Sequence, residues 1–353
     1  MTMHAGGETS SRGLAGRPPC SSEVLRDILH GFRASQALFV VAQLRVADHL
    51  AQGPRDRHAL AGLTGTDPAA LGRVIRALCA LGLFFESLDG QFSLSEPGHL
   101  LRSDVAGSYR PAVLLLAGAT RWNCWSSLLE TVRTGVSAAE RELGMQIFDF
   151  YAAHPAESKI HDDAMRGLSA NAATIVDAIA VGAARVIVDI GGGTGEFLAA
   201  VLAAHRELNG ILFDLPDVVK RAHDVLRQNG VAQRCRIEGG SFFERVPRGD
   251  LYLLKQVLHD WDDVRAIAIL DCCRRHMPAT ARLLVIERRM PDRAEPGVSR
   301  EAFMTDLEML VMTPGGRERT EAELQSMFAA AGFRHERTTP TASTVSVFEA
   351  RPM

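Results

Sequence analysis

The sequence predicts a doubly wound α/β domain that is preceded by a smaller, mostly helical domain. Two patterns indicate this. From residue 185 onward, short apolar runs typical of buried parallel strands alternate with segments of helical periodicity. Before that point, helical patterns lead into two short strands joined by a turn. A chain of 353 residues is long enough to hold two such domains.

The N-terminal part divides into an arm and a small domain. Residues 1–22 are rich in Gly, Ser, Pro and Arg, so we predict a disordered arm there. Helical patterns fill most of residues 23–108. They lead to strands at 83–86 and 91–94, which flank a turn signal at 88–90. Helices followed by a hairpin are typical of a winged helix.

A winged helix can bind DNA or another protein, and the sequence favours a protein contact. The candidate recognition helix offers only Arg73 and Arg76 on a mostly apolar surface, and the hairpin turn carries acids but no basic residue. The apolar helix predicted over 39–50 would be an exposed patch unless another chain covered it. We therefore expect a homodimer and no nucleic-acid partner.

Residues 109–184 are predicted to be mostly helical. They hold Trp122 and Trp125 and the aromatic run at 148–151, and they lead directly into the first strand of the α/β domain. We expect this segment to cover the binding crevice and to line an aromatic pocket. The α/β domain, 185–353, has predicted strands at 186–190, 210–214, 234–238, 250–257 and 282–288, a helix at 320–331 and a terminal antiparallel pair at 334–339 and 344–350.

A glycine turn after the first of these strands predicts a ligand site. Gly191, Gly193 and Gly195 stand between the strand and a helix, where glycines let a ligand approach the backbone. Asp214 follows the second strand, where a carboxylate can accept hydrogen bonds from ribose hydroxyls. The turn therefore predicts a crevice for a ligand that contains a ribose.

The same turn favours S-adenosylmethionine over a dinucleotide. Its G-x-G-x-G spacing differs from the G-x-G-x-x-G of dinucleotide sites. S-adenosylmethionine has a ribose and no phosphate, and its amine and sulfonium suit the acids Asp189 and Glu196 beside the turn. A nicotinamide-dependent dehydrogenase is the alternative for this turn.

The polar candidates converge on one edge of the predicted sheet. In open α/β sheets ligands bind outside the carboxyl ends of the strands, and Asp214, Lys255, His259 and Glu287 all lie at such ends. An imidazole there can accept a proton near neutral pH. His259 is therefore the candidate general base, and Glu287 is a carboxylate that could orient it. The alternatives are a surface histidine and, for Lys255, a solvated charge.

Composition argues against several classes of protein. The net charge of −3 gives no sign of a polyanionic partner. No apolar run reaches the roughly 18 residues of a membrane-spanning helix, and the N-terminus lacks the apolar core of a secretory signal. The six cysteines form no C-x-x-C pair. We expect no metal site, reduced cysteines and a cytoplasmic location.

Four segments resemble the motifs of one enzyme family. Residues 188–195 have the sequence VDIGGGTG, 213–218 FDLPDV, 254–263 LKQVLHDWDD and 314–320 PGGRERT. They are similar, in the family's order, to motifs of the plant-type class I S-adenosylmethionine-dependent O-methyltransferases. Bacterial members of that family act on phenolic natural products such as anthracyclines and phenazines. The resemblance covers about residues 186–333 and implies a Rossmann-like methyltransferase domain. The N-terminal pattern is similar to the family's winged-helix dimerisation region.

The resemblance also implies a role for each matching side chain. His259 resembles the general base that removes the proton of the acceptor hydroxyl, and Glu287 and Glu318 resemble the carboxylates that hold it. Together with Asp189, the cofactor site would comprise Gly191, Gly193, Asp214, Ser241, Phe242 and Lys255. The acceptor site would comprise Asp260, His161 and Met165.

Two positions depart from the family pattern. Ser241 stands where the family usually has an Asp that accepts a hydrogen bond from the adenine amine, so we expect a weaker or water-mediated contact. His161 replaces a common aromatic residue, which suggests a more polar acceptor or a second group that handles protons.

The sequence thus predicts methyl transfer to a phenolic hydroxyl of a small aromatic natural product, such as a phenazine or polyketide. One alternative is a hydroxylase or decarboxylase of the same fold that binds S-adenosylmethionine and acts on a polyketide. Another is a winged-helix regulator that senses S-adenosylmethionine. The retained His259, Glu287 and Glu318 argue against the first, and the acidic hairpin turn argues against the second.

Overall fold

The computed structural model describes residues 21–168, 172–296 and 300–353. The described residues form two compact units, which divide between Gly98 and His99. The predicted arm at 1–22 lies outside the described residues except for its last two positions, which begin the first helix. The helical segment 109–184 belongs to the same compact unit as the sheet.

The first unit consists of helices and one hairpin. Its elements are α1 (Ser21–Gln43), α2 (Val46–Leu50), α3 (Arg57–Thr64), α4 (Pro68–Ala80), β1 (Phe84–Glu86), β2 (Phe92–Leu94) and α5 (Glu96–His99). The apolar helix predicted over 39–50 does not leave the exposed patch that the sequence suggested, because Val41, Val46 and Leu50 are buried within this unit. The prediction of a single helix is also wrong. The structure interrupts it at Arg45, whose backbone is left-handed with φ 55°, and an apolar pattern does not reveal such a break.

Local contacts explain α4 and the hairpin. Asp67 caps α4 by accepting a hydrogen bond from the N–H of Ala70 at 2.7 Å. Arg76 donates to Glu86 on β1 at 2.6 Å, so one of the two arginines considered for DNA contact is already paired within the unit. The predicted helical N-terminal domain with its hairpin is confirmed.

The second unit begins with helices and continues into a large sheet. Its leading helices are α6 (Arg110–Leu116), α7 (Ala119–Ser126), α8 (Leu128–Thr134), α9 (Ala138–Leu143), α10 (Ile147–Ala153), α11 (Pro155–Leu168) and α12 (Ala172–Val176). The strands are β3 (Val186–Ile190), β4 (Asn209–Asp214), β5 (Cys235–Gly239), β6 (Leu251–Lys255), β7 (Arg282–Met290), β8 (Arg319–Thr320), β9 (Phe333–Pro340) and β10 (Val345–Pro352). The later helices are α13 (Glu196–Ala204), α14 (Pro216–Val219), α15 (Ala222–Gln228), α16 (Asp263–His276), α17 (Arg300–Met312) and α18 (Glu321–Ala330).

The sheet has the strand order β5-β4-β3-β6-β7-β10-β9, and β8 pairs with β7. Strands β3 to β7 run parallel, and β10 is antiparallel to both β7 and β9. Along β6, Leu251 and Leu253 belong to one apolar cluster, while Tyr252 and Leu254 belong to another. Since helices cover both faces, the predicted doubly wound α/β architecture is confirmed.

Strand β6 ends earlier than the sequence pattern suggests. The sequence predicted a strand to residue 257, but β6 ends at Lys255. Gln256 adopts a left-handed backbone with φ 52°, which turns the chain out of the sheet. No helix in the described ranges has both the length and the apolar character needed to cross a membrane.

Candidate active site

The glycine turn follows β3 and closes against the end of β4. Gly191 N donates to the carbonyl of Phe213 at 2.8 Å. Gly191 and Gly193 both have left-handed backbones, with φ 67° and φ 61°. A Cβ on Gly191 would lie 2.8 Å from Val257 Cγ2, whereas one on Gly193 would have no atom within 4 Å. The turn is therefore packed behind Gly191 and open at Gly193.

Asp214 braces this turn. Its Oδ2 accepts a hydrogen bond from Gly193 N at 2.7 Å, and its Oδ1 accepts one from Leu215 N at 2.6 Å. Burial raises the pKa of this carboxyl, and the two backbone N–H groups oppose the rise. Each carboxylate oxygen has more than one lone pair, so Asp214 can hold the turn and still accept a hydrogen bond from a ligand.

Asp189 on β3 is buried and Lys255 on the neighbouring β6 is partly buried, and each influences the titration of the other. Burial raises the pKa of Asp189 to about 7, and Lys255 partly opposes this. Burial lowers the pKa of Lys255, against the attraction of Asp189 and Glu287. Lys255 Nζ donates to Gln256 Oε1 at 2.9 Å and lies 5.6 Å from the centre of the Phe197 ring. Lys255 is thus not the freely solvated charge that the sequence left open.

Glu196 differs from the sequence-based expectation. We expected its charge to be available to a cationic ligand, but Arg166 on α11 donates to it at 2.6 Å. A second ion pair joins Arg221 to Asp162 on the same helix, also at 2.6 Å. Helix α11 is therefore tied by ionic contacts to the first residue of α13 and to the segment after α14.

Ser241 and Phe242 lie at the end of β5, and aromatic rings gather there. Ser241 Oγ accepts a hydrogen bond from Phe243 N at 3.3 Å. The rings of Phe242 and Phe243 lie 6.1 and 4.9 Å from that of Trp261, both edge-on. Trp261 also stacks on Phe148 of α10 at 6.0 Å. No sequence pattern had indicated a role for Trp261, although it directly follows Asp260 in the motif LHDWDD.

His259 lies on a short 3-10 turn, Leu258–Asp260, directly after Gln256 and Val257. The ring is buried. Its Nδ1 is 3.0 Å from Glu318 Oε1 and 3.8 Å from Glu287 Oε2, while Nε2 is 3.6 Å from Asp260 Oδ1. The side chains predicted from separate motifs are thus brought together, with Nδ1 facing two glutamates.

The two glutamates hold the histidine in different ways. Glu318 makes the direct hydrogen bond to Nδ1. Glu287 binds the backbone, because its Oε1 accepts from the N–H groups of Val257 at 3.1 Å and Leu258 at 2.9 Å. One potential metal-ligand atom from each of His259, Glu287 and Glu318 also lies within 4.8 Å of the other two. The 3.0 Å distance between His259 Nδ1 and Glu318 Oε1 is that of an ordinary, well-formed N–H···O hydrogen bond.

Charges at this cluster shift the titration of its members. Burial opposes the charged form of His259, but Glu287, Asp260 and Glu318 outweigh it and raise the pKa to about 10. Burial raises the pKa of Glu287 to about 7 against the attraction of His259. Burial likewise raises the pKa of Asp260, and His259, His161 and Arg121 oppose it. The imidazolium is therefore strongly stabilised here.

His161 and Met165 lie one turn apart on α11. The His161 ring is 4.6 Å from that of Tyr151, and Met165 remains 38% exposed. Arg121, which no motif indicated, donates to the Tyr151 hydroxyl at 3.3 Å and forms an ion pair with the partly buried Glu308. Only the tertiary fold brings these residues of α7, α10 and α17 together.

Comparison with known proteins assigns the family. Residues 125–334 match the O-methyltransferase domain, and residues 26–104 match the O-methyltransferase dimerisation domain. The chain is 40% identical over 341 residues to a phenazine O-methyltransferase of Lysobacter antibioticus, covering 96% of this chain and 98% of the relative. The chain belongs to this O-methyltransferase family. It is a methyltransferase that uses S-adenosylmethionine, and the resemblance found in its motifs is confirmed.

Solved structures agree with this assignment. The crystal structure of LaPhzM superposes on the methyltransferase with a TM-score of 0.90 at 40% identity, covering 94% of this chain and 99% of that chain. An O-methyltransferase of neocarzinostatin biosynthesis, solved with S-adenosylmethionine and 2-hydroxy-5-methyl naphthoic acid, gives 0.81 at 32% identity, covering 96% and 100%. The predicted cofactor, S-adenosylmethionine, is confirmed by this family membership.

Proposed function

We propose that this methyltransferase acts on a phenolic hydroxyl of a small aromatic natural product, with His259 as the general base. The observation that carries the proposal is the 3.0 Å hydrogen bond between His259 Nδ1 and Glu318. Because Nδ1 is engaged by a buried carboxylate, Nε2 is left to accept a proton. Relatives that methylate aromatic compounds, such as the phenazine enzyme, support the class of acceptor.

The crevice beside the glycine turn fits S-adenosylmethionine. The turn is open at Gly193, and Asp189 has a buried carboxylate oxygen without a hydrogen-bond partner among the described residues. We assign Gly191, Gly193 and Asp189 to the methionine part and Asp214 to the ribose. When bound, the cofactor supplies an electrophilic methyl group on a sulfonium.

Three further side chains complete the assignment of the cofactor site. The Phe242 ring packs beside Gly191 and is assigned to the adenine. Ser241 stands next to it, and its hydroxyl already accepts from Phe243 N, so it offers the adenine amine a weaker acceptor than a carboxylate would. Lys255 is assigned as a polar side chain of the cofactor site, and its positive charge partly offsets the rise in the pKa of Asp189.

The charges around His259 suit proton removal from a phenol. A phenol has a pKa of about 10, and the pKa of His259 is raised to about 10 as well. Proton transfer between the two groups is therefore nearly balanced. His259 loses its own proton more readily once a sulfonium lies in the same crevice, because a like charge disfavours the cation. The acceptor oxygen becomes nucleophilic as Nε2 takes its proton, and Glu318 and Glu287 stabilise the imidazolium.

The acceptor is assigned to the space between α11 and the His259 turn. Asp260, His161 and Met165 would position it, and Tyr151 and Trp261 supply aromatic surface. The polar groups of Asp260 and His161 favour an acceptor that carries a second hydrogen-bonding group beside the reacting hydroxyl.

We also infer a homodimer built on the first unit. Side chains on one face of α1 are apolar and largely exposed, namely Leu25, Ile28, Leu29 and Phe32, each at least 52% accessible. Their spacing of three and four residues forms one stripe. Since an apolar stripe of this length is costly in water, a second copy of the chain is its natural cover, consistent with the matched dimerisation domain.

Product mass tests the proposed reaction. Purified protein is incubated with S-adenosylmethionine and a panel of hydroxylated phenazines, naphthoates and quinones, and the products are read by mass spectrometry. We expect a gain of one methyl group on at least one phenolic acceptor. A gain of oxygen or a loss of carbon dioxide would instead support the hydroxylase or decarboxylase alternative.

A further inference from the structure

Side-chain hydrogen bonds hold the backbone turn that carries His259 on both its N–H side and its carbonyl side. On its N–H side, Glu287 Oε1 accepts from Val257 and Leu258. On its carbonyl side, Arg319 Nη1 donates to Leu258 O at 2.8 Å and Nη2 donates to Trp261 O at 2.7 Å. The two carbonyls lie on either side of His259 in the chain, so Arg319 spans the base.

The guanidinium of Arg319 is buried, and its N–H groups donate hydrogen bonds to several acceptors. Arg319 is only 3% exposed. Besides the two carbonyls, its Nε and Nη2 donate to Asp263 Oδ1 at 3.0 and 2.9 Å, and Nη1 reaches Arg317 O at 3.4 Å. A planar fork with five N–H donors can make these contacts at once, whereas a lysine ammonium cannot span them.

The segment that carries Arg319 also rests directly on the His259 turn. A Cβ on Gly316 would lie 2.5 Å from His259 O and 2.7 Å from Asp260 C, so only glycine lets the two backbones approach this closely. Glu318, the neighbour of Arg319, makes the hydrogen bond to Nδ1. One short segment therefore contacts both the ring and the backbone of the base.

We propose that Arg319 is a positioning residue for methyl transfer, which orients the His259 ring by holding the carbonyls of Leu258 and Trp261. This inference rests on the proposed role of His259 as the base. Arg319 itself does not reach the reacting atoms. Its contribution is the fixed direction of Nε2, and misplacement of a catalytic group by about 1 Å can cost on the order of 100-fold in rate.

The test compares Arg319→Lys with Arg317→Lys. Arg317 is the matched control, because it also pairs with Asp263, at 3.0 Å, but its side chain is 36% exposed. Among the described residues, its side chain donates to Glu323 and Asp263 and to no atom of the His259 turn. Calorimetric titration with S-adenosylmethionine gives the concentration of folded, cofactor-binding sites in each variant. Single-turnover methyl transfer at saturating substrates is then measured from pH 6 to 10 per folded site.

For Arg319→Lys we expect a rate loss of about 10- to 100-fold per folded site, with cofactor affinity within about twofold of the parent. The pH midpoint of its rate should fall, because a looser turn weakens the contact between Nδ1 and Glu318. Arg317→Lys should match the parent throughout.

An Arg319→Lys rate within about twofold of the parent per folded site would overturn the proposal. A rate loss with an unchanged pH midpoint would also overturn it, because that result indicates a merely structural role. His259→Ala is measured in the same series. If that variant kept full activity, the base assignment itself would fail. If His259→Ala lost activity while Arg319→Lys kept the parental rate, the positioning inference alone would fail.

Discussion

At the scale of single residues, the protonation of His259 decides when the base can act. Burial alone would lower the pKa of the imidazole, but the surrounding carboxylates raise it to about 10. Only the neutral ring can accept a proton from the acceptor. The carboxylates that stabilise the imidazolium formed in the reaction therefore also keep His259 protonated at neutral pH before the acceptor binds.

This balance predicts an alkaline pH dependence. Since the folded pKa of His259 is raised, its neutral form increases as pH rises towards 10, and kcat/KM for the acceptor should rise about tenfold per pH unit between pH 6 and 8. Initial rates with two acceptors of different hydroxyl pKa separate the enzyme's contribution, which is common to both. A plateau for both acceptors from about pH 7, near the ordinary value for histidine, would contradict the raised pKa.

The residues of the base cluster differ in how far the sequence could predict them. His259 and Glu287 follow from the rule that ligands bind at strand ends, because each stands where an apolar run of the sequence ends. In the structure β6 stops at Lys255 and β7 continues to Met290, so the rule located the site but not the exact strand ends. Glu318 follows no long strand, and only the family motif indicated it. The backbone hydrogen bonds of Glu287 and the ion pair of Arg121 with Glu308 depend on tertiary contacts that no sequence pattern contains.

At the scale of elements, a comparison of two glycines distinguishes the effect of backbone strain from the effect of cofactor contact. Gly193 and Gly230 both have left-handed backbones, with φ 61° and φ 69°, and a Cβ on either would meet nothing within 4 Å. They differ in position, because Gly193 lies in the turn that we assign to the cofactor and Gly230 follows α15. The pair therefore allows backbone strain to be measured apart from cofactor binding.

We expect Gly193→Ala and Gly230→Ala to lose similar stability, about 1–2 kcal/mol, since alanine is strained in the left-handed region. Only Gly193→Ala should also weaken S-adenosylmethionine binding, by about tenfold or more, because its methyl group enters the space assigned to the cofactor. Thermal unfolding without ligand and calorimetric titration give the two quantities. Equal cofactor affinity in both variants would refute the placement of Gly193.

Elements were predicted better than their exact ends. Apolar runs bounded by turn residues located the central strands β3, β4, β6 and β7, because burial on both faces leaves a clear pattern. The more exposed β5 and β9, and β10, were located as well. The left-handed Gln256 and Arg45 were missed, since non-glycine residues in that conformation carry no signal in hydropathy. Gln256 determines where β6 stops, and hence where the His259 turn begins.

At the scale of the whole molecule, the exposed stripe of α1 predicts a homodimer. Ile28→Glu places a charge in the centre of the stripe, where Ile28 is 70% exposed in the single chain. We expect this variant to elute as a monomer of 38.3 kDa in size-exclusion chromatography with light scattering, and the parent at twice that mass. Leu88→Glu, on the fully exposed hairpin turn, is the control and should leave the dimer intact. A dimeric Ile28→Glu would rule out the stripe as the interface.

The proposed reaction depends on His259 being the base, and one comparison tests this most directly. His259→Ala and the control His223→Ala, an exposed histidine of α15, are compared with the parent in single-turnover methyl transfer and in calorimetric binding of S-adenosylmethionine. We predict that His259→Ala binds the cofactor as the parent does but transfers the methyl group about 100- to 10,000-fold more slowly. His223→Ala should be unaffected. Parental rates for His259→Ala at neutral pH would contradict the assignment.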